Sequence, residues 1–98
     1  MKTTSDYIRL LKQFKDTRAS NYGIQKIGLF GSVARGEHKE GSDVDVCFEG
    51  KAMGLLALAR LKGELETLFG TTVDILRMRK QLDGTAFKKA VLKDIIYA

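Results

Sequence analysis

The sequence predicts an α+β protein in which a small mixed sheet of about three β-strands is flanked by helices. Three observations lead to this prediction. Apolar residues recur at helical spacing in three segments, short strand-like runs lie between those segments, and glycine marks the turns because the chain has ten glycines and no proline. The 98 residues contain no repeat, low-complexity tract or linker, so residues 1–98 are expected to form a single domain.

The first predicted elements are a helix and a strand. The helix begins after Thr4-Ser5-Asp6, whose side chains suit a capped start, and Gly23 marks the end of that stretch. The short run from Lys26 to Phe30 is typical of a strand. The apolar stripe of the helix consists of Tyr7, Leu10, Leu11 and Phe14.

A glycine-rich segment with a short turn of helix is expected to lead into a second strand. Two sets of residues alternate in this strand, Val44, Val46 and Phe48 on one face and Asp43, Asp45 and Cys47 on the other. This two-residue period is typical of a strand with one apolar face.

A leucine-rich helix, a third strand and a last helix complete the predicted order. The leucine-rich helix covers residues 55–69 and ends at Gly70, and the strand covers Thr72 to Leu76. The last helix is expected to begin near Asp83 or Thr85. Its predicted apolar stripe consists of Phe87, Ala90, Val91 and Ile95.

Charge is distributed unevenly along the chain. The net charge of +5 divides into +4 for residues 1–26, −3 for residues 27–76 and +4 for residues 77–98. A nucleic-acid-binding protein usually reads its ligand through a basic surface, so direct nucleic-acid binding is not expected here. The pattern suits central acids that hold divalent cations between flanks that attract a polyanion, although solvated basic helix faces would give the same distribution.

Cysteine content and hydropathy bear on the cellular compartment. The single cysteine, Cys47, cannot form an internal disulfide, which favours a reducing compartment, and we expect a cytoplasmic protein. No apolar run approaches the ~20 residues that a membrane-spanning helix needs. The early charges of the N-terminus differ from those of a secretory signal, so no membrane association is expected.

The segment from Gly28 to Glu49 carries the candidate chemistry. At Gly31-Ser32 the chain is expected to pass from a strand into a helical turn, which directs backbone N–H groups outward to where they can bind phosphate oxygens. Arg35, one turn later, would add positive charge. A Walker P-loop is excluded because Glu37-His38 stands where Lys and Ser or Thr are required. A purely structural turn is the alternative interpretation of the Gly-Ser pair.

Three aspartates are predicted to form a second part of the same site. Asp43 and Asp45 project to one side of their strand, where two like charges repel unless a cation such as Mg²⁺ or Mn²⁺ lies between them. Taken alone, the pair is also consistent with a solvated edge strand protected by charge. Asp74 would join them if its strand is a neighbour, and three carboxylates can hold two cations ~3.5–4 Å apart for in-line displacement at phosphorus.

These residues resemble the signature of the polymerase-β-type nucleotidyltransferases. Gly31-Ser32, followed after ten residues by Asp43-x-Asp45, is similar to the motif of the minimal nucleotidyltransferases of bacteria and archaea. The resemblance covers nearly the whole chain and includes the leucine-rich helix, the Val-Asp-Ile-Leu strand at Asp74 and the basic last helix. It implies a polymerase-β-like nucleotidyltransferase fold.

The resemblance also implies roles for the residues that match the motif. Gly31 and Ser32 would bind the β and γ phosphates of ATP. Asp43 and Asp45 would ligate two Mg²⁺ ions, and Asp74 would ligate the ion beside the attacking hydroxyl and help to activate it. An NMP group, expected to be AMP, would be transferred with release of pyrophosphate.

A further implication concerns the partner. Many small members of the family are antitoxins paired with a HEPN-domain toxin, which is an RNase, and some attach AMP to a tyrosine of that toxin. The chain lacks the extra substrate-binding domain of larger relatives, which favours a protein acceptor. The alternatives are a non-catalytic antitoxin that neutralises its partner by occlusion and a protein that binds RNA or DNA through its basic flanks.

Some residues near the motif have less specific interpretations. Arg35 is predicted to bind the nucleotide, with simple solvation of the turn as the alternative. His38 is expected to be a solvated loop histidine and Cys47 a small buried hydrophobe, since no Cys–His zinc spacing is present. The three tyrosines are expected in the core or at its rim; they are Tyr7, Tyr22 and Tyr97.

Overall fold

A computed structural model describes the backbone of residues 1–98 and every side chain except that of Lys80. Its four-stranded sheet has the order β3-β2-β1-β4, and four α-helices connect or flank the strands. Two short 3₁₀ turns, Ala19–Tyr22 and Lys80–Leu82, complete the chain. The elements in chain order are α1 Thr4–Thr17, β1 Ile24–Phe30, α2 Gly31–Arg35, β2 Val44–Gly50, α3 Leu55–Phe69, β3 Val73–Arg77, α4 Ala86–Asp94 and β4 Ile96–Tyr97.

The sheet is mixed, as predicted. β1 pairs antiparallel with β2 and with β4, whereas β2 and β3 run parallel and are connected by α3. The sequence predicts about three strands, and the fourth is the two-residue β4. It lies against β1 at Gly28, where a Cβ atom would stand 2.7 Å from the Ile96 carbonyl oxygen, so the absence of a side chain at Gly28 lets β4 pair.

Helix α1 confirms the first predicted helix with different ends. Its N-cap is Thr3, whose hydroxyl accepts a hydrogen bond from the Asp6 N–H while the Asp6 carboxylate accepts one from the Thr3 N–H. This reciprocal arrangement is a capping box. The helix stops at Thr17, and the chain continues through a 3₁₀ turn to Gly23, where φ is +69°.

The main core lies between one face of the sheet and the helices α1 and α3. Alternate strand residues point into it because a strand projects successive side chains to opposite faces. Leu58 and Leu68 pack against its rim, and the first two residues of α3 lie outside it, with Leu55 82% and Leu56 79% exposed. Its least exposed side chains are Leu11, Ile27, Leu29, Val33, Val44, Val46, Phe48, Leu61, Leu65, Phe69 and Val73.

A smaller cluster lies on the opposite face of the sheet, under α4. Cys47 packs there with Met78 and Val91, and burial raises the pKa of its thiol to about 12, which confirms a buried hydrophobe. The last helix is confirmed as α4 with Thr85 as its N-cap, but only Val91 and Ile95 of the predicted apolar stripe pack against this cluster. Only Val91 of that stripe is buried, Phe87 is 48% exposed and Ile95 ends the helix in extended conformation, because α4 covers only part of this face.

No helix among the residues that the structure describes is long and apolar enough to cross a membrane.

Truncation of a buried leucine and of an exposed leucine in α3 should change the free energy of unfolding by different amounts. Leu65→Ala should lower the free energy of unfolding by about 2–5 kcal/mol, because Leu65 is 0% exposed and its loss leaves a cavity. Leu56→Ala is the control and should change it by less than about 0.5 kcal/mol. Urea unfolding of both variants measures the difference, and equal effects would contradict the assigned core.

Candidate active site

The last residue of β1 and the first residues of β2 and β3 lie next to one another in the sheet. Phe30, the last residue of β1, pairs with Asp45 in β2, and Asp45 pairs in turn with Asp74 in β3. The strands that carry Asp45 and Asp74 are therefore direct neighbours, as the predicted convergence requires. Asp45 lies two residues before Cys47 in β2 and therefore projects to the same face of the sheet, and its partner Asp74 projects to that face as well. This is the face that α4 covers in part.

Gly31 allows the chain to turn directly over Asp45. Its φ of +72° lies in the left-handed region, and a Cβ atom at this position would clash with Asp45 Oδ2. Both features disfavour an L side chain, because the backbone conformation is strained for one and the Asp45 carboxylate would have to shift to make room for it. The backbone that begins α2 is thus held against a carboxylate at the end of the sheet.

Asp45 is half-buried and sits among like charges. Burial is the largest cause that raises the pKa of its carboxyl group above the ordinary 3.8, and repulsion by Asp74 and Asp43 raises it further. The Arg35 guanidinium acts in the opposite direction and lowers this pKa. All three predicted acids are therefore close enough to interact electrostatically, and Asp45 lies at their centre.

Asp43 is an exposed residue immediately before β2, and Thr72 holds its side chain. The Thr72 hydroxyl donates a hydrogen bond to Asp43 Oδ1, and the Thr72 carbonyl accepts one from the Val44 N–H at 2.9 Å. Thr72 thus fixes Asp43 from the start of β3. The sequence pattern predicts Thr72 as the first residue of the third strand and indicates no role for it, whereas the structure places it immediately before β3, where it binds Asp43.

Arg35 is bound to other side chains instead of pointing freely into solvent. Its Nη1 donates a hydrogen bond to Asp94 Oδ2 at 2.8 Å, and its Nε lies 3.4 Å from Glu37 Oε2. The pKa of Arg35 is raised above its ordinary range, chiefly by the hydrogen bond to Asp94. Asp94, at the end of α4, is a residue to which the sequence pattern assigns no role.

The predicted phosphate-binding residue Ser32 is half-buried in α2, and its backbone carbonyl accepts a hydrogen bond from the Glu37 N–H at 2.9 Å.

His38 corrects the prediction of a solvated loop histidine. Its Nε2 lies 2.7 Å from the Lys2 carbonyl oxygen, its ring contacts Tyr7 edge-on at 5.9 Å between centroids, and its Nδ1 is buried. The loop after α2 is therefore pinned to the N-terminus. His38 therefore acts as an anchor, because its contact with Lys2 joins two segments that are 36 residues apart in sequence.

The donor set of the site suits a hard divalent cation. Across the described side chains, no three His, Cys, Asp or Glu residues already enclose a point where a metal ion could sit. The acids nevertheless fit such an ion in chemistry, because they supply only oxygen atoms and because the repulsion at Asp45 is of the kind that a cation relieves. Asp43 and Asp74 are both exposed, so their carboxylates are accessible to such an ion.

Comparison with known proteins identifies the family. The model of the nucleotidyltransferase domain family matches residues 11–98. A protein adenylyltransferase named MntA from Thermococcus cleftensis is 35% identical over 98 residues, which cover 99% of this chain and 97% of that protein.

Solved structures show the same fold. A structure identified provisionally as a minimal nucleotidyltransferase superposes with a TM-score of 0.74 at 31% identity, covering 97% of this chain and 95% of that one. A chain of the complex between a tri-AMPylated Shewanella oneidensis HEPN toxin and its MNT antitoxin gives a TM-score of 0.62 at 21% identity, covering 90% and 66%. The second likeness shows the fold alone.

The contact between Gly31 and Asp45 leads to a prediction with a matched control. Gly31→Ala and Gly41→Ala both place a side chain at positive φ, +72° and +84°, but only the first meets another atom within 4 Å. Gly41→Ala should cost about 1 kcal/mol of stability. Gly31→Ala should cost at least about 1 kcal/mol more, because the turn or Asp45 must move. Urea unfolding tests this, and equal losses would contradict the contact.

The raised pKa of Asp45 predicts how stability depends on pH in metal-free buffer. A carboxyl group whose pKa is raised by folding destabilises the native state when it is ionised, and the effect is absent when both states are protonated. Asp45→Asn should therefore unfold at higher urea concentration than the unsubstituted chain at neutral pH. The two curves should converge as pH falls from the raised pKa to below 3.8. A gap that is independent of pH would contradict the assignment.

Proposed function

The chain belongs to the nucleotidyltransferase domain family, and we propose that it is a Mg²⁺-dependent protein adenylyltransferase. It transfers AMP from ATP to a hydroxyl group of a partner protein, and it acts as the antitoxin of a HEPN-type toxin. Two similarities support this finer assignment: the relative from Thermococcus cleftensis is named a protein adenylyltransferase, and a fold neighbour stands in a complex with an AMPylated HEPN toxin.

The observation that carries the proposal is the register of β2 and β3. Asp45 is paired with Asp74, and Asp43 is held by Thr72 two residues before Asp74. A catalyst of nucleotidyl transfer needs carboxylates beside a phosphate-binding backbone, since the cations that the carboxylates would hold offset the charge on the triphosphate where the reaction occurs. Here the backbone at Gly31 lies against Asp45 itself.

Asp43, Asp45 and Asp74 would hold the divalent ions. When bound, Mg²⁺ offsets the negative charge of the phosphates and favours an attacking hydroxyl in its deprotonated form. Asp45 would be the central ligand, because the charges of both Asp43 and Asp74 act on its carboxyl group. Its raised pKa in the metal-free protein predicts that binding of a cation and loss of a proton are coupled at this carboxylate.

The chain's own residues then bind and orient the substrates. The N–H groups at Gly31 and Ser32 donate to the β and γ phosphates, with the Ser32 hydroxyl as an additional donor. The acceptor oxygen forms a bond to the α-phosphorus. The bond between the α-phosphorus and the oxygen that bridges it to the β phosphate breaks, and pyrophosphate leaves. The proton of the acceptor hydroxyl passes to the Asp74 carboxylate.

Arg35 contributes charge close to this site. It lowers the pKa of Asp45 while it is hydrogen-bonded to Asp94 at 2.8 Å, so the ion pair determines where its guanidinium stands. From this position it favours the ionised form of Asp45. Its Nη2 makes no hydrogen bond that the structure describes, so Arg35 could donate to a phosphate while it keeps its contacts with Asp94 and Glu37.

AMP transfer in the presence of the HEPN-type protein of the same genome tests the proposal. Asp43→Asn, Asp45→Asn and Asp74→Asn should each lower transfer from α-labelled ATP by about 100-fold or more, because each removes charge from the metal site. Chelation of Mg²⁺ should abolish transfer. Asp16→Asn, on the exposed side of α1, is the matched control and should keep full activity.

Two results would contradict the proposal. Equal labelling by the unsubstituted chain and the three variants would rule out the assigned acids. If the triple variant Asp43→Asn, Asp45→Asn, Asp74→Asn still protected cells from the toxin as well as the unsubstituted chain, neutralisation would occur by occlusion.

A further inference from the structure

Strand β3 is an edge of the sheet, and half of its backbone polar groups face away from β2. The Val44 N–H donates to the Thr72 carbonyl at 2.9 Å and the Met78 N–H donates to the Phe48 carbonyl at 2.8 Å. Alternate residues of a strand direct their N–H and C=O groups to opposite sides. The even-numbered residues of β3 therefore bind β2, and Val73, Ile75 and Arg77 face outward.

Only the beginning of this edge is covered by a hydrogen bond that the structure describes. The Val73 N–H donates to Glu66 Oε2 at 3.1 Å, which confirms that it points outward. Glu66 belongs to the last turns of α3, the helix that connects β2 to β3. The backbone groups of Ile75 and Arg77 thus form a short edge that can pair with another extended chain.

An apolar groove runs along the same edge, between β3 and the first turns of α3. It consists of two clefts, of about 360 and 310 Å³, that share Leu58 and Ile75 in their linings. Leu55 lines the first cleft and Met53 the second. Leu55 is 82% exposed, and the next residue, Leu56, is 79% exposed beside the clefts without lining either one. Two neighbouring leucines that exposed extend the apolar surface beyond the groove, as is typical of a binding surface.

Besides its apolar residues, the groove is lined by cationic side chains, and it reaches the candidate active site at Asp74. Lys62, Arg77 and Arg79 line the two clefts, and the acid among the lining residues is Asp74. Nucleic acid would be attracted by the three cations but would leave Leu55 and Leu56 without a partner. An apolar protein segment with acidic residues complements both the cations and the leucines.

We propose that the β3 edge and this groove, together the edge groove, bind an extended segment of the acceptor protein as an added strand. Side chains of the segment that face α3 occupy the groove at Leu58 and Ile75, and acidic residues meet Arg77 and Arg79. Because the side chains of an added strand alternate, the residue beside Asp74 faces the opposite side, where its hydroxyl group meets the carboxylates. This inference rests on the proposed protein acceptor and names the surface that selects it.

Hydrogen exchange tests strand addition without requiring catalysis. The Asp45→Asn chain, which cannot transfer AMP under the proposal, is mixed with the HEPN-type protein of the same genome. In the free chain the N–H groups of Ile75 and Arg77 should exchange quickly, whereas those of Asp74 and Leu76 should be protected. In the complex, Ile75 and Arg77 should become protected by about tenfold or more. Unchanged exchange at both amides, or failure to form a complex, would overturn the proposal.

Matched surface variants test the groove. Leu55→Glu with Leu56→Glu should weaken the complex by about tenfold or more, because it buries charge in the apolar contact and repels an acidic segment. Phe87→Glu with Leu92→Glu is the control, since these side chains are 48% and 47% exposed on α4 and add the same charge. The control should stay within about twofold of the unsubstituted chain. Circular dichroism confirms that both variants fold.

The outcomes separate the docking surface from the catalytic assignment. If the edge amides become protected and the leucine variant loses affinity while no AMP transfer occurs, the docking surface stands and the adenylyltransferase assignment fails. If AMP transfer occurs with unchanged amides and equal affinity of both double variants, the docking surface is wrong. A leucine variant that binds the acceptor normally but loses affinity for a single-stranded oligoribonucleotide would also overturn the proposal.

Discussion

The contact between the backbone of Gly31 and the carboxylate of Asp45 is the constraint on which the rest of the site depends. It joins the turn that ends β1 to the acid at the start of β2, and it leaves no space for a Cβ atom. Asp45 therefore lies between a backbone able to bind phosphate and the other two acids. Its ionised form is disfavoured by burial and by the charges of its neighbours, a cost that a bound divalent cation would offset.

The fold supports this contact from both faces of the sheet. On one face α1 and α3 form the main core, which fixes β2 and β3 side by side with their carboxylates in register. On the other face α4 covers Cys47, and its last residue, Asp94, holds Arg35 beside the acids. His38 ties the intervening loop to the N-terminus. Elements distant in the chain thus converge on a small region of the sheet.

Strand β3 contributes to both the candidate active site and the edge groove. Its even-numbered backbone groups bind β2 and place Asp74 next to Asp45, while its odd-numbered groups face the edge groove. The two-residue period of a strand makes this division possible without additional elements. An acceptor aligned along β3, as proposed above, would be brought to the carboxylates by the same hydrogen bonds that bind it.

Local patterns in the sequence were sufficient to predict the helices, three strands and the candidate acids, because periodicity, glycine turns and the Gly-Ser and Asp-x-Asp spacing depend on residues close in the chain. The end of α3 at Gly70 and the start of α4 after Thr85 agree with the structure for that reason. Only tertiary structure decided that Asp45 pairs with Asp74, that Thr72 holds Asp43, that Asp94 binds Arg35, and that His38 is an anchor. β4 likewise forms only because β1 is beside it, since two residues carry no period of their own and long-range pairing leaves no local signal.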